Sequence, residues 1–268
     1  MPRLLPQAAV DQYRREGFYS PVRVMSAADA RRYRDALEGH EATTRKPLQG
    51  NWRHKMHLLF TWADELVHHP KILDAVEDVI GPDILCWTTN FFIKEANSPG
   101  FVSWHQDSTY WGLEPDDVVT AWVAFTDVTE ENGCMQVIPG SHHDGLKDHC
   151  PVDQLRIPDA LLPLDRAKPL PMKAGSALLM NQQTIHSSLD NVTDDQVRIS
   201  FDLRYQPIGQ PTGRPSFPGF VARSASRPEQ VLNDPETWAR LWLDTRETLA
   251  RREDPAYNRW SADSPVCA

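Results

Sequence analysis

Hydrophobic residues in the first third of the chain recur every three to four positions, which is the period of an amphipathic helix. This pattern predicts helices at residues 8–16, from 26 to about 38, and at 70–80. Gly17 after the first segment and Gly81-Pro82 after the third are residues that end helices. The N-terminal part of the protein is therefore expected to be helical.

From residue 84 onward the pattern changes to short segments rich in β-branched and aromatic residues, which favour strands. In one segment Trp122 and Ala124 alternate with Val123 and Phe125, so the two pairs belong to opposite faces of a sheet. Turn-forming Gly, Pro and Asn residues separate the segments. The predicted strands cover residues 84–94, 118–127, 176–180 and 197–205.

Short strands after a helical region predict an antiparallel sandwich or barrel with helices packed outside. We expect one mainly β domain over residues 1–268. The Pro- and Gly-rich residues 207–222 are expected to be loop, and residues 235–251 a final helix whose Trp238 and Trp242 pack on the core. The parts of the domain are a helical region at about 1–82, a strand core at about 83–206, and a loop with a C-terminal helix at about 207–268.

The composition is that of an ordinary globular protein, with 40% hydrophobic and 24% charged residues. A net charge of −9 provides no positive field that would attract nucleic acid or an anionic membrane. Charged residues come too early for a secretory signal, and no apolar run approaches the ~18 residues of a membrane span. We expect a cytoplasmic monomer or homodimer without nucleic-acid or membrane partners.

The four cysteines are widely spread and form no C-x-x-C sequence. Such spacing in a cytoplasmic protein predicts reduced thiols and not a disulfide framework. The residues are Cys86, Cys134, Cys150 and Cys267.

Two H-x-D sequences could place an imidazole and a carboxylate on one metal ion. Chance supplies about one such match in a chain with 10 histidines and 24 aspartates, so the match alone is weak. His105 and Asp107 lie where a strand would put residues two apart on one face. His142 and Asp144 lie in the turn-rich sequence PGSHHDG. We predict metal binding by the first pair and assign the second, with His143, to a turn.

His186 ends a predicted strand, and a polar turn centred near Val192 would pair it with Arg198 on the next strand. Two imidazoles and a carboxylate that leave open positions are the ligand set of non-haem Fe(II) oxygenases. A nearby arginine suits an anionic cosubstrate, because its guanidinium can grip a carboxylate with two hydrogen bonds.

Alternation also places Arg198, Ser200, Asp202 and Arg204 on one face of the last strand. Buried charges need partners, so this face either lines a polar cavity or carries a structural ion pair. We favour the cavity for Arg198 and leave both alternatives open for Asp202 and Arg204.

The chain resembles the phytanoyl-CoA dioxygenase family of Fe(II)/2-oxoglutarate oxygenases from about residue 10 to about residue 225. The resemblance is carried by the sequences WHQDSTYWG, ENGCMQVIPGSHHDGLKDH, IHSSLDN and VRISFDLRY. It implies a double-stranded β-helix, a distorted jelly roll of the cupin type with helices against one sheet. It also implies Fe(II), 2-oxoglutarate as cosubstrate, and O2.

The resemblance implies that His105, Asp107 and His186 are the iron ligands. It implies that Arg198, helped by Ser188, holds the distal carboxylate of 2-oxoglutarate. Further positions that resemble residues of the cosubstrate pocket are Trp122, Thr88 and Asn90.

Asp107 also distinguishes two branches of the family. Halogenating relatives carry a small residue at this position, so Asp107 favours a hydroxylase over a halogenase. The expected reaction is hydroxylation of an unactivated C–H bond with release of succinate and CO2. Desaturation or ring closure would use the same residues.

The expected substrate is a small metabolite. It would be anionic if the basic segment 45–57, which includes Lys55 and His57, forms a mouth together with the 207–222 loop; the alternative for this segment is a solvated run of charges. Substrate contacts are predicted for Gln106, Arg204, Asp202 and Arg53.

Two other functions fit a jelly roll with this ligand set. The first is a non-catalytic binding protein, against which iron-dependent binding of 2-oxoglutarate would argue. The second is a metal-dependent cupin-type isomerase or hydrolase, which needs neither Arg198 nor dioxygen. Substrate-dependent and oxygen-dependent formation of succinate would exclude it.

Overall fold

The computed structural model describes residues 3–49, 53–98, 102–111, 117–151, 155–211, 219–251 and 267. Its helices are α1 (Gln7–Glu16), α2 (Ala27–Thr44), α3 (Thr61–Val67), α4 (Pro70–Ile80), α5 (Ser108–Trp111) and α6 (Pro235–Arg251). Its strands are β1 (Phe18–Arg23), β2 (Ile84–Lys94), β3 (Val102–His105), β4 (Val119–Ala124), β5 (Met135–Val137), β6 (Cys150–Pro151), β7 (Leu155–Arg156), β8 (Lys168–Pro169), β9 (Ser176–Asn181), β10 (His186–Ser188), β11 (Arg198–Pro207) and β12 (Phe220–Arg223).

Two antiparallel sheets form the core. The major sheet has the strand order β1-β9-β4-β11-β2-β12, and the minor sheet has the order β3-β10-β5-β8. Together they form the double-stranded β-helix that was predicted, with helices flanking the major sheet. The expected fold class is confirmed.

The two faces of the major sheet differ in chemistry. On β11 the side chains of Ile199, Phe201 and Leu203 join an apolar cluster with residues of α1 to α4. Each large apolar side chain buried there stabilises the fold by roughly 1.5–3 kcal/mol. The alternate residues, including Ser200 and Asp202, are also buried, and they face the interior of the barrel. The strand therefore separates an apolar core from a polar interior.

Local sequence signals set most element boundaries. Strand β2 has the predicted bounds, and α1 ends at Gly17, whose φ of 81° is left-handed. Helix α2 continues past its predicted end near residue 38, because a single Gly39 inside a helix costs only about 1 kcal/mol. None of the described helices combines the length and apolar character needed to cross a membrane.

The prediction that residues 207–222 are loop is wrong at its C-terminal end. Phe220 pairs with Cys86, so β12 becomes an edge strand beside β2. Phe220 is also buried in the apolar cluster behind the sheet. A free sheet edge and this apolar contact outweigh the Pro- and Gly-rich composition, whereas residues 212–218 lie outside the described residues.

The prediction of reduced thiols is wrong for one pair of cysteines. Cys150 and Cys267 form a disulfide across a sequence separation of 117 residues. Cys86 and Cys134 are free and buried. Because no short-range motif links the bonded pair, only the folded chain brings these two sulfur atoms together.

Candidate metal centre

The side chains of His105, Asp107 and His186 converge on one point. Their possible ligand atoms all lie within 4.8 Å of one another, and all three residues are buried. Oδ1 of Asp107 is 3.5 Å from Nε2 of His105 and 3.9 Å from Nε2 of His186. The structure therefore brings together the three residues that the sequence predicted as metal ligands.

The minor sheet positions both imidazoles. His105 on β3 is the antiparallel partner of His186 on β10, and His186 also pairs with Val137 on β5. Asp107 lies beyond the end of β3, in the turn that leads into α5. The common face expected from strand alternation is therefore not the cause of the convergence, because a turn brings the carboxylate back to the imidazoles.

Hydrogen bonds orient the two imidazoles. Nδ1 of His105 is 2.7 Å from the carbonyl oxygen of Ser103, and Nδ1 of His186 is 2.8 Å from that of Thr184. A carbonyl oxygen only accepts, so each Nδ1 carries the hydrogen and each Nε2 keeps a lone pair. This is the arrangement in which a backbone carbonyl fixes the tautomer of a metal-binding histidine.

Electrostatics favour the metal-binding protonation states of His186 and Asp107. Burial, assisted by the neighbouring His105, lowers the pKa of His186 to about 4, so its imidazole is neutral at pH 7. Burial opposes ionisation of Asp107, but Arg204 and the two imidazoles outweigh it, and its pKa lies below the ordinary value. Two imidazoles and one carboxylate match the donor set of a non-haem Fe(II) site.

Arg198 does not pair with His186, so the predicted hairpin is wrong. Arg198 belongs to the major sheet, where Lys94 is its partner on β2. His186 belongs to the minor sheet, and the intervening chain crosses from one sheet to the other. The short connection between the two strands is a poor guide to their pairing, because contacts between residues distant in the sequence decide which strands pair.

Arg198 is nevertheless almost completely buried, at 1% exposure. Its Nη1 donates to Oγ of Ser200 at 3.0 Å, and its guanidinium carbon is 5.3 Å from the ring centroid of Trp122. Burial lowers its pKa to about 10, which still leaves it charged at pH 7. Nε of Arg198 and Oγ of Ser188 have no hydrogen-bond partner within the described ranges. A buried cation with unused donors suits an anionic ligand.

Asp202 and Arg204 form the structural ion pair that was one of the two alternatives left open by the sequence. Nη2 of Arg204 donates to Oδ2 of Asp202 at 3.1 Å, so the ion pair exists. Their cross-strand partners on β2 are Asn90 and Thr88. Burial raises the pKa of Asp202 to about 7. The atoms without a hydrogen-bond partner among the residues described are Oδ1 of Asp202, Nε of Arg204, Oδ1 of Asn90 and Oγ1 of Thr88.

The structure contradicts the prediction that Gln106 faces the substrate. Its amide nitrogen donates to the carbonyl oxygens of Gly145 at 3.0 Å and Gln183 at 2.8 Å. Its amide oxygen accepts from the backbone nitrogen of Lys147 at 2.8 Å. The amide group thus binds two backbone segments, at residues 145–147 and at Gln183.

Only part of the basic segment is a solvated run of charges, because Arg45 and Lys46 are exposed whereas Lys55 and His57 are buried. Lys55 is buried and donates to the carbonyl oxygen of Trp87 at 2.7 Å, and His57 is buried with Nδ1 2.7 Å from Oγ1 of Thr89. Arg53 is half-buried, and its Nε donates to the carbonyl oxygen of Leu48. The proposed mouth is therefore wrong for Lys55 and His57.

The second H-x-D sequence lies in a turn, as predicted. Ser141–Asp144 forms a single 3-10 turn, and Nε2 of His142 is 3.0 Å from the carbonyl oxygen of Arg14. Among the described residues neither His142 nor His143 belongs to a group that could hold a metal ion. Strand context therefore distinguished the two matches correctly.

Two residues near the site were missed by the sequence reasoning. Lys94 is buried on β2, and Trp111 on α5 lies against Arg204 with the guanidinium carbon 4.8 Å from its ring centroid. The signal for Lys94 was present, because alternation gives it the same face as Thr88 and Asn90. No spacing rule pointed to Trp111.

Comparison with known proteins identifies relatives of the same architecture. A family model described as phytanoyl-CoA dioxygenase matches residues 1–200. The chain is 26% identical to L-proline trans-4-hydroxylase of Streptomyces griseoviridis over 81% of this chain and 92% of that protein. It is 31% identical to a phytanoyl-CoA dioxygenase domain-containing protein of Danio rerio, over 53% of this chain and only about half, 52%, of that relative.

Comparison with a solved structure supports the same architecture. The apo structure of the non-heme monooxygenase ThoJ superposes with a TM-score of 0.75 at 29% identity, covering 91% of this chain and 96% of that one.

Proposed function

Because this chain belongs to the phytanoyl-CoA dioxygenase family, we propose that it is a 2-oxoglutarate-dependent hydroxylase of a small anionic metabolite. Members of the family are Fe(II)/2-oxoglutarate-dependent oxygenases. The observation that carries the proposal is the convergence of His105, Asp107 and His186 within 4.8 Å. In the proposed reaction one atom of O2 enters the product and the other enters succinate, with release of CO2.

His105, Asp107 and His186 would hold the iron through Nε2, Oδ1 and Nε2. When bound, Fe(II) would activate O2, the oxidant of an unactivated C–H bond, and 2-oxoglutarate would supply two of the electrons that reduce O2. The protein contributes orientation and protonation state. The carbonyl oxygens of Ser103 and Thr184 keep both Nε2 atoms free of hydrogen.

Arg198 would bind the distal carboxylate of 2-oxoglutarate, supported by Ser188. The unused Nε of Arg198 and Oγ of Ser188 are the donors available for it. Trp122 lies against the guanidinium and restricts its orientation. Thr88 and Asn90 lie opposite Arg204 and Asp202, farther along the strand, so we assign them to the end of the cosubstrate nearer the metal.

The charge of the interior supports an anionic substrate. The buried ionisable groups of the inner face are the cations Lys94, Arg198 and Arg204 and the anions Asp107 and Asp202. The cations outnumber the anions, the more so because burial raises the pKa of Asp202 to about 7, and Fe(II) with doubly charged 2-oxoglutarate leaves that balance unchanged. Since uncompensated buried charge is costly, a substrate carrying a carboxylate would stabilise the loaded site. Substrate contacts at Asp202, Arg204 and Arg53 are part of this proposal.

Hydroxylation is the outcome that the sequence and the relatives favour. Asp107 retains the carboxylate that halogenating relatives lack, and one relative is a proline hydroxylase. We expect the enzyme to act in the cytoplasm as a monomer or homodimer.

The test is an anaerobic titration of the protein with Fe(II) and 2-oxoglutarate, read by the visible charge-transfer band of the chelate. We expect the band in the wild type and in His142→Ala, and its loss in His105→Ala. The two histidines occupy the same position in the two H-x-D sequences, so His142→Ala is a matched control. Absence of the band in the wild type would refute the proposal.

A second measurement separates the alternative functions. A metabolite screen with succinate as the readout should find a compound that stimulates succinate formation only in the presence of O2. A band without any such compound would favour the binding protein. Turnover without O2 would favour the isomerase or hydrolase.

A further inference from the structure

The two oxygen atoms of the Asp107 carboxylate face different groups. Oδ1 faces His105 and His186, at 3.5 and 3.9 Å from their Nε2 atoms. Oδ2 faces Arg204, whose Nη2 lies 3.7 Å away. Oδ2 accepts no hydrogen bond from any residue that the structure describes. One oxygen is thus turned toward the metal position and the other toward a guanidinium.

Arg204 is itself held from two sides. Its Nη2 donates to Oδ2 of Asp202 at 3.1 Å, and its guanidinium carbon lies 4.8 Å from the ring centroid of Trp111. Arg204 and Asp202 come from β11, whereas Trp111 belongs to α5, the helix that follows Asp107. The guanidinium therefore connects the major sheet to the turn that carries the carboxylate.

We propose that Arg204 is a positioning residue that holds Oδ2 of Asp107 away from the metal, so that Asp107 binds through Oδ1 alone. The proposal rests on the proposed function, because it assumes that the triad binds a metal ion. A carboxylate can bind a metal through one or both oxygens. Binding through both would occupy a position that the cosubstrate or dioxygen needs.

The physical basis is a competition for Oδ2. The positive guanidinium attracts Oδ2 in a buried environment, where charge interactions are stronger than in water. Asp202 and Trp111 hold the guanidinium in this position. Mutation of the groups around a metal ligand typically changes metal affinity 10–100-fold.

The test uses Co(II) as the probe, titrated into metal-free protein without 2-oxoglutarate. The visible absorption of Co(II) depends on its coordination number, so one titration reports affinity and ligand geometry. We expect Arg204→Met to shift the Co(II) spectrum toward a higher coordination number, because Oδ2 is then free to bind, and to change the Co(II) affinity by about 10–100-fold. Arg204→Lys should restore part of the wild-type spectrum, because it restores the charge without the planar fork.

Arg223→Met is the control, since Arg223 is a partly buried arginine on β12 that pairs with Asp74 and Glu77 and has no contact with the triad. It should bind Co(II) with affinity and spectrum close to those of the wild type. Asp202→Asn keeps the size of the side chain and removes its charge, so it should change the Co(II) spectrum less than Arg204→Met. It also serves as the test if Arg204→Met fails to fold.

The results separate this inference from the proposed function. Wild-type Co(II) affinity and spectrum in Arg204→Met, with only a lower melting temperature, would show a purely structural ion pair and overturn the inference. The same result in Asp202→Asn would overturn it if Arg204→Met cannot be purified. A wild type that binds no Co(II) would instead remove the proposed metal centre, and the inference with it.

Discussion

His105 and His186 are cross-strand partners, and each places its Nδ1 next to the carbonyl oxygen of the residue two positions earlier in the chain. The same local contact is therefore used twice, on two strands that are 81 positions apart in the sequence. Their ring centroids are 4.2 Å apart. The backbone of the minor sheet thus sets the direction of both Nε2 atoms before any metal binds.

Replacing Arg198 should weaken the binding of 2-oxoglutarate and leave metal binding unchanged. Hydrogen bonds to charged groups contribute about 1.5–3 kcal/mol, so Arg198→Ala should raise the Kd for 2-oxoglutarate by roughly 10–150-fold. The measurement is the charge-transfer band titrated with 2-oxoglutarate at fixed Fe(II). The Kd of Arg198→Lys should lie between those of the wild type and Arg198→Ala. An unchanged Kd in Arg198→Ala would remove this residue from the cosubstrate site.

Acid should destabilise the protein through His149, which lies behind the metal centre. Its Nε2 accepts a hydrogen bond from the backbone nitrogen of Gln106 at 3.0 Å, and burial lowers its pKa to about 4. As the pH falls through 6.5, His149 takes up a proton in the unfolded chain, whereas in the folded protein it does so only near pH 4. The free energy of unfolding should therefore decrease from pH 6.5 to 4, by at most about 3 kcal/mol from this group.

The check is the melting temperature of His149→Gln measured between pH 7 and pH 4. The melting temperature of the variant should depend less steeply on pH than that of the wild type. Part of the pH dependence should remain, because burial also lowers the pKa of His186. His143→Gln, which alters an exposed imidazole, should keep the wild-type slope. Equal slopes in all three proteins would contradict the role of His149.

The number of free thiols should distinguish the disulfide from four reduced cysteines. With Cys150 bonded to Cys267, denatured protein prepared without reductant should contain two reactive thiols. After reduction it should contain four. Closing a loop of this length stabilises a protein by at most about 4–5 kcal/mol, so Cys150→Ser should melt at a lower temperature. Four thiols without reductant would contradict the bond.

Gly175 should not tolerate a side chain. Its φ is +83°, and an added Cβ would lie 2.6 Å from the carbonyl oxygen of Met25 and 2.9 Å from that of Ser26. Gly175→Ala should therefore lower the free energy of unfolding by about 2–4 kcal/mol, from the left-handed backbone and the clash together. Gly81 has a similar φ of +92°, and no heavy atom lies within 4 Å of an added Cβ. Gly81→Ala should therefore lower the free energy of unfolding by about 1–2 kcal/mol. Urea denaturation of both variants would measure the difference, and equal losses would exclude the clash.

The sequence alone predicted which residues share a face of two strands and which three side chains come together. Alternation assigned Arg198, Asp202 and Arg204 to one face of a strand, and that strand is β11. Strand context selected His105 over His142, and the structure brings His105 together with its predicted partners. These features are local, because side-chain periodicity is written in neighbouring residues.

Only the tertiary structure decided which elements meet. It gave His186 and Arg198 to different sheets, although the short connection between them favoured a hairpin. It buried Lys55, engaged Gln106 with two backbone segments, and joined Cys150 to a cysteine 117 positions away. A strand or side chain takes the partner that satisfies its hydrogen bonds and buries its apolar surface best, and that partner is set by distant parts of the chain.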